Sequence, residues 1–371
     1  MTPTTLSTRA LNRATLARQY LLAREDVDPA AAVTRLVGLQ TQIPHNHYTA
    51  LWSRLADFDP HDFSRRLNAR EFVRISLQRS TIHTVTARDC LALRPVLQPA
   101  QRGSFGSFAK RLAAAGVDAG KVAARAAELV AAAGPMTFHQ LGTLLAEEWP
   151  EADAQALGMA ARHLLPMVQV TPRGLWGEGG LARHTTAREW LGQDLEHETA
   201  PDALVLRYLA AFGPASVKDV QMWSGLTRLR EVVERHRDEL VTFRDPHGVE
   251  LFDLPDAPRP GPDAEAPARF LPEYDNVFIG HRDRTRVVRD EDRARTWESN
   301  RQFPVFLSDG FIEGTWQRDG GTLTLFPFRA LSPAARRALE REAGALLAFQ
   351  APGENHDVCW AGAGQRPART S

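Results

Sequence analysis

The sequence predicts an α+β fold, mainly helical, built as three tandem winged-helix units followed by a small C-terminal β-barrel. Three observations carry this prediction. Helix-periodic segments followed by a strand–turn–strand pattern recur three times in residues 1–256. A run rich in Pro, Ala and Asp then occupies residues 257–267 and reads as a linker. Beyond it, five short strand-like runs precede a single helix. The repetition is one of architecture, because no segment repeats another residue for residue.

The first unit spans residues 1–100. Residues 11–23 have helical spacing, with Leu11, Ala14, Tyr20 and Leu21 on one face. Asp28 is a good N-cap and Pro29 suits the first helical position, so a second helix runs over 29–38, where Gly38 lets it stop. Helices follow over 48–56 and from Pro60 to Leu67. Val73, Ile75 and Leu77, then Ile82 and Val85, alternate as strands, which places Arg79 at the tip of a wing. Thr86 opens a further helix that stops near Pro95. The second unit spans 101–200. Residues 98–110, rich in Gln, Gly and Ser, read as a connector. Helices are expected over 118–132, 137–147 and 153–165, and a hairpin over 167–177 with Thr171-Pro172-Arg173-Gly174 as its turn. The third unit, 201–256, reads as helices over 202–212, 216–223 and 226–237, then a hairpin turning at Asp245-Pro246-His247-Gly248. In the last unit, 268–350, strands are expected over 269–279, 285–288, 303–307, 311–317 and 322–328, and a helix over 333–348. Residues 351–371 read as a tail with little pattern, disordered from 361.

Composition sets limits on function. The chain of 371 residues has zero formal net charge, which is unusual for a nucleic-acid binder. Charge is unevenly spread, however. Residues 61–111 hold nine Arg and one Lys against Asp62, Glu71 and Asp89, a local net of +7. A one-sided field survives a neutral total. Only Lys110, Lys121 and Lys218 supply amines, so few amine nucleophiles are on offer. Cys90 and Cys359 are too few for a disulfide framework or a Cys-based zinc site. With no signal-peptide pattern and no long apolar run, the expected location is the cytoplasm.

The stretch that carries chemistry is Leu39-Gln40-Thr41-Gln42-Ile43-Pro44-His45-Asn46-His47-Tyr48. Pro44 biases Ile43 toward an extended backbone. If residues 39–43 are extended, Gln40 and Gln42 project to one side and Leu39, Thr41 and Ile43 to the other. Two neutral amides then stand together, each with donors and an acceptor. The ordinary role of such a pair is one surface side chain and one that bonds loop backbone.

Leu36-Val37-Gly38-Leu39-Gln40-Thr41-Gln42, followed by Ala50-Leu51-Trp52-Ser53-Arg54-Leu55, resembles the AlkZ/YcaQ-like bacterial winged-helix proteins. Arg79-Ser80-Thr81-Ile82-His83, Leu271-Pro272-Glu273-Tyr274-Asp275, Gly280-His281-Arg282-Asp283-Arg284 and Gly314-Thr315-Trp316 are similar to further segments of that family, in the same order. The family includes DNA glycosylases that remove alkylated purines and unhook interstrand crosslinks. Its signature is Gln, an aliphatic residue, then Gln or Asp. The resemblance implies that Gln40 and Gln42 are catalytic, with Thr41 in the aliphatic position. It implies double-stranded DNA with alkylated purines as the partner, a monofunctional enzyme, no cofactor, and a location at the nucleoid.

The amide pair suits such chemistry. An N7-alkylated guanine is cationic and leaves without a strong acid, so the reaction needs a placed water and a stabilised sugar cation. Candidate DNA contacts are His45, Arg79, Thr81, His83 and Arg173. Wing and hairpin residues commonly enter a groove, although a solvated Arg or a half-buried His is the commoner role. His45 and His47 form a His-x-His pair with no matching third ligand, so no metal is expected. The rival is a non-catalytic winged-helix regulator, but the sequence shows no dimerising coiled-coil pattern and a monomer is expected. A pure interaction scaffold suits the neutral charge and leaves the glutamines unexplained.

Overall fold

A computed structural model describes residues 4–367. Its first three units are helices followed by hairpins, and the hairpins do not stand apart. Strands Phe72–Ser76 and Ile82–Thr86 pair antiparallel, and Leu39–Gln40 adds to the free edge of the latter. The second unit's strands Met167–Gln169 and His184–Thr186 join on the other side, so that Arg74 pairs with Gln169. One five-stranded sheet therefore spans both units. The third hairpin, Val241–Arg244 with Glu250–Asp253, is extended by Thr4–Thr5, which runs parallel to its first strand.

Local chemistry explains the helix starts. Asp28 accepts from Ala30 N at 2.7 Å, with Pro29 in the first helical position. Thr86 caps the helix Ala87–Val96, and Ser216 with Asp219 forms a capping box before Val217–Ser224. In the second unit the helices Phe138–Glu148 and Ala154–Leu164 touch backbone to backbone. A Cβ at Gly142 would lie 2.2 Å from the Ala154 carbonyl oxygen, so only glycine permits this contact.

The structure corrects several expectations. Residues 98–110 are not a connector but most of a helix, Gln98–Ala114. Ala100, Gln101, Phe105 and Leu112 are buried, while Gly103 and Gly106 face open space. Burial of one apolar face thus overrides a composition that looks loop-like. The second hairpin does not turn at Thr171-Pro172-Arg173-Gly174. Its return strand is His184–Thr186, and Trp176 packs against Tyr48 at 4.7 Å and Phe349 at 5.2 Å. Burying that aromatic pulls the segment away from its own hairpin and onto the first unit.

The C-terminal unit is an open sheet, not a β-barrel. Its strand order is Asp357–Trp360, Thr322–Pro327, Phe311–Asp319, Val305–Ser308, Arg269–Leu271, and among the described residues the two edge strands do not pair. The expected strand over 269–279 is cut short to Arg269–Leu271, and the one over 285–288 is missing. Asn276–Ile279 is a short helix capped by Asp275, and 285–288 is irregular. One edge instead comes from the supposedly patternless tail, Asp357–Trp360, and Ala361 N continues the pairing to Leu325 O at 2.9 Å. Residues 361–367 form a turn tied to the sheet by Gly364 N to Pro327 O at 3.2 Å, and 368–371 lie outside the described residues. Helix Pro333–Gln350 covers one face through Leu339, Ala343, Leu346 and Leu347, which pack with Phe270, Phe306 and Trp316.

Buried ion pairs lock the units together. Arg54 grips Asp275 in a two-pronged contact of 2.8 and 2.9 Å, and both side chains are fully buried. Arg18 holds Asp253 in the same way at 2.6 and 2.7 Å. Removing one member of such a pair strands the other charge. Asp275→Ala is therefore expected to lower unfolding free energy by about 3–5 kcal/mol, read by urea denaturation. A loss under about 1 kcal/mol would show that the pair does not tie the first unit to the last.

Candidate active site and nucleic-acid interface

The glutamine stretch starts from an unusual backbone. Helix Pro29–Arg35 stops early, and Val37 and Gly38 both take positive φ, 56° and 88°. A Cβ on Gly38 would meet Val85 Cγ1 at 2.7 Å, so this position requires glycine for space as well as for φ. A β-branched residue in that region is strained, and outside groups hold it there. Gln78 Nε2 donates to Val37 O at 3.0 Å, and Asn276 Nδ2 donates to Gly38 O at 2.8 Å. The chain is then extended through Leu39, Gln40 and Thr41, whose N–H reaches Ile82 O at 2.8 Å, before it bends at Gln42. The extended run is thus shorter than residues 39–43.

The two glutamines sit in different surroundings. Gln40 is buried, opposite His83 across the strand pair. Its Oε1 accepts from Arg79 Nη2 at 2.6 Å, and its Nε2 has no partner among the described residues. Gln42 is exposed, and among the described residues its side chain makes one long hydrogen bond, 3.4 Å from Ile82 N to Oε1. Thr41 between them is buried. Its hydroxyl meets the Thr84 hydroxyl at 3.0 Å, which in turn lies 3.0 Å from His47 Nδ1. His47 Nε2 donates to Gly174 O at 3.1 Å, and burial pulls its pKa well below 6.5, so the ring is neutral with its proton on Nε2. This relay satisfies the hydroxyl that stands in the aliphatic position.

Arg79 is not a free wing tip. Its Nη1 donates to Trp223 O at 2.5 Å, and its backbone packs on Gly225. The guanidinium is wedged between Gln40 and the end of helix Val217–Ser224. Burial, with Arg284 nearby, pulls its pKa down to about 10, so it stays charged at neutral pH. The other candidates are also engaged. His83 is only 2% exposed, and its Nδ1 donates to Thr81 O at 2.9 Å. Burial, then Arg79, push its pKa to about 3, which makes it a neutral polar group and not a phosphate-binding cation. Thr81 is half-buried and its hydroxyl closes the turn onto Gln78 O at 3.0 Å. His45 is exposed and donates to Glu178 O at 2.8 Å, while His47 faces Gly174, so the two rings do not converge on a shared ligand. Arg173 is half-buried and reaches Gly180 O at 2.6 Å. Among the described residues no cluster of His, Cys, Asp or Glu could hold a metal, and no helix is long and apolar enough to cross a membrane.

Among the described residues no carboxylate bonds Gln40, Gln42 or His83. Around the two glutamines the side chains are neutral amides, a neutral imidazole and guanidiniums. Such a set orients water and stabilises charge, but it cannot take up a proton strongly.

The sequence matches the family described as DNA glycosylase AlkZ-like over residues 33–349, most of the chain, and the chain belongs to it. The interstrand DNA cross-link repair glycosylase of Streptomyces sahachiroi is 28% identical over 169 residues, 42% of this chain and 44% of that protein. The matched stretch is thus under half of that relative's length. The solved structure of Streptomyces sahachiroi DNA glycosylase AlkZ aligns at a TM-score of 0.78 and 21% identity, covering 96% of this chain and 100% of that one. At that identity the likeness speaks for the fold.

Sequence reasoning missed Arg74, Arg162, His184 and Asn276. Arg74 reads as the outward residue between Val73 and Ile75, a polar face that the second unit then covers. The buried neutral histidines have a thermodynamic consequence. His83 and His184 are held near pKa 3, His163 near 4 and His47 well below 6.5, chiefly by burial. The unfolded chain binds these protons below its ordinary value of 6.5 and the folded chain does not. Stability is therefore full above that pH and is lost as pH falls toward the folded values, by about 1.4 kcal/mol per histidine per pH unit. The melting temperature is expected to drop markedly between pH 7.5 and pH 5. An unchanged melting temperature would mean that these rings are not buried neutral.

Proposed function

We propose that this protein is a monomeric, monofunctional DNA glycosylase that hydrolyses the N-glycosidic bond of N7-alkylated purines in duplex DNA. Bulky adducts and interstrand crosslinks are included among its substrates, in line with the activity named for the Streptomyces sahachiroi relative. Its three helix-then-hairpin units act as winged helices on the duplex, and it works in the cytoplasm at the nucleoid. The observation that carries this reading is the amide pair without a carboxylate partner, one member fixed by Arg79 and the other open to solvent.

The geometry divides the work. Gln42, free on its solvent side, holds the attacking water with its amide oxygen toward the sugar C1′. Gln40 is oriented by Arg79, and its free Nε2 points a donor dipole from a fixed frame. An N7-alkylated purine leaves as a neutral base, so no general acid is required. Without a carboxylate the site gives little help to a neutral purine, and undamaged bases survive. None of the three lysines is a partner of these residues, which favours water over an amine as nucleophile.

The direct test is release of free N7-methylguanine from methylated duplex DNA by the purified protein, leaving an alkali-labile abasic site. A defined sequence-specific footprint with no base release would make it a regulator instead. The variants separate the two amides. Gln42→Ala is expected to lower the single-turnover rate by about 100-fold at unchanged melting temperature, since the side chain is exposed. Gln40→Ala is expected to lower the rate similarly and also to destabilise by about 1–3 kcal/mol, because it leaves Arg79 Nη2 unpaired. The double variant should be little worse than the poorer single one, as for residues that act together. Full activity in the double variant would put the chemistry elsewhere.

A further inference from the structure

The cleft that Gln42 borders is lined by Arg74, Arg162, Arg173, His139 and His184, and by no Asp or Glu. Its volume is about 640 Å³. It lies where the shared sheet meets the second unit's helices, and Thr137 to Gln140, the first turn of the eleven-residue helix Phe138–Glu148, form part of its wall. The positive end of that helix dipole therefore adds to the field of three guanidiniums.

These cations lack the carboxylate partner that Arg18 and Arg54 have. Arg18 and Arg54 each grip an aspartate, whereas Arg74, Arg162 and Arg173 have no carboxylate within ion-pair distance among the described residues. Arg74 is 2% exposed and donates to Gln169 Oε1 and Thr41 O, with its Nε unpartnered. Arg162 is half-buried, and its Nε is buried without a partner. Arg173 Nε is in the same state, as is His184 Nδ1, whose ring stacks on Phe138 at 4.1 Å. Burial of unpaired charge is costly, so a cluster of this kind is completed by an anion from outside.

We propose that this cleft is a phosphodiester subsite, in which Arg74 and Arg162 seat one backbone phosphate of the bound strand next to Gln42. The damaged nucleotide would then be registered by its phosphate, with C1′ brought to the amide. That last step rests on the glycosylase reading; phosphate binding itself does not.

The test measures binding, not catalysis. The probe is a short duplex with one tetrahydrofuran abasic analogue, followed by fluorescence anisotropy across a salt series. Arg162→Gln is the main variant, since its guanidinium supports no ion pair that the fold needs. It is expected to keep the melting temperature, weaken binding and reduce the slope of log K against log salt by about 0.9, the loss of one phosphate contact. Arg162→Lys should keep most of the slope. Methylphosphonates placed one at a time near the analogue locate the contact. One position should weaken wild type yet leave Arg162→Gln indifferent. Equal affinity and slope in wild type and Arg162→Gln would overturn the proposal, as would weakened binding with no such coupled position. Arg162-dependent binding of inorganic phosphate without any change in duplex affinity would also overturn it. A protein that shows the coupling but releases no base keeps the subsite and loses the glycosylase reading.

Discussion

Everything at the glutamine stretch depends on one amide that comes from 238 residues away in sequence. Asn276 Nδ2 donates to Leu36 O and Gly38 O, and so pins the two carbonyls that flank a strained turn. Without that bridge Val37 would relax from its positive φ and the Leu39–Gln40 strand would lose its starting point. The residue before it, Asp275, is anchored by Arg54, and Asn46 reaches Glu273 O at 2.8 Å. The segment from Glu273 to Asn276 is thus a splint for the first unit, although it belongs to the last.

Substitution of Thr at position 41 shows how closely this packing is satisfied. A hydroxyl in a dry strand costs free energy unless it is bonded. Here Thr84 and His47 supply the bonds, and His47 delivers its remaining proton to Gly174. The glutamine stretch is held on its inner side by a relay that ends in the second unit, and on its outer side by Arg79 and the third. The glutamines are therefore framed by all four units.

Much of the local structure was legible. Caps at Asp28, Thr86 and Ser216, the strand alternation of 73–77 and the three helices of the third unit all follow from short-range rules that act within a few residues. What failed was set by distant partners. The helix Gln98–Ala114 exists because the second unit buries Phe105 and Leu112. Trp176 leaves its hairpin for Tyr48. The last sheet takes an edge from the tail and stays open, and residues 273–276 brace the first unit where a strand was expected. At the site, Gln40 and Gln42 were visible as a motif, but the burial of Arg79 was not. A tip Arg and a wedged Arg look alike in sequence, and only the position of Trp223 separates them.

The splint also sets an order of assembly. During synthesis the first unit emerges with its glutamines, its arginines and most of its own hydrophobic core, but not with Asn276. At about 5–20 residues per second, translation needs many seconds more before that amide is available. Until then Leu36 and Gly38 lack its donor, Arg54 has a buried charge without Asp275, and the turn at Val37 has little reason to hold. Long-range contacts of this kind are slow to form, and they reward the chain only once loop closure is complete. A nascent or truncated chain ending before residue 275 therefore carries the whole Gln-Thr-Gln sequence without the geometry that makes it a site. The turn before the glutamines is completed late, with the segment that finishes the fold.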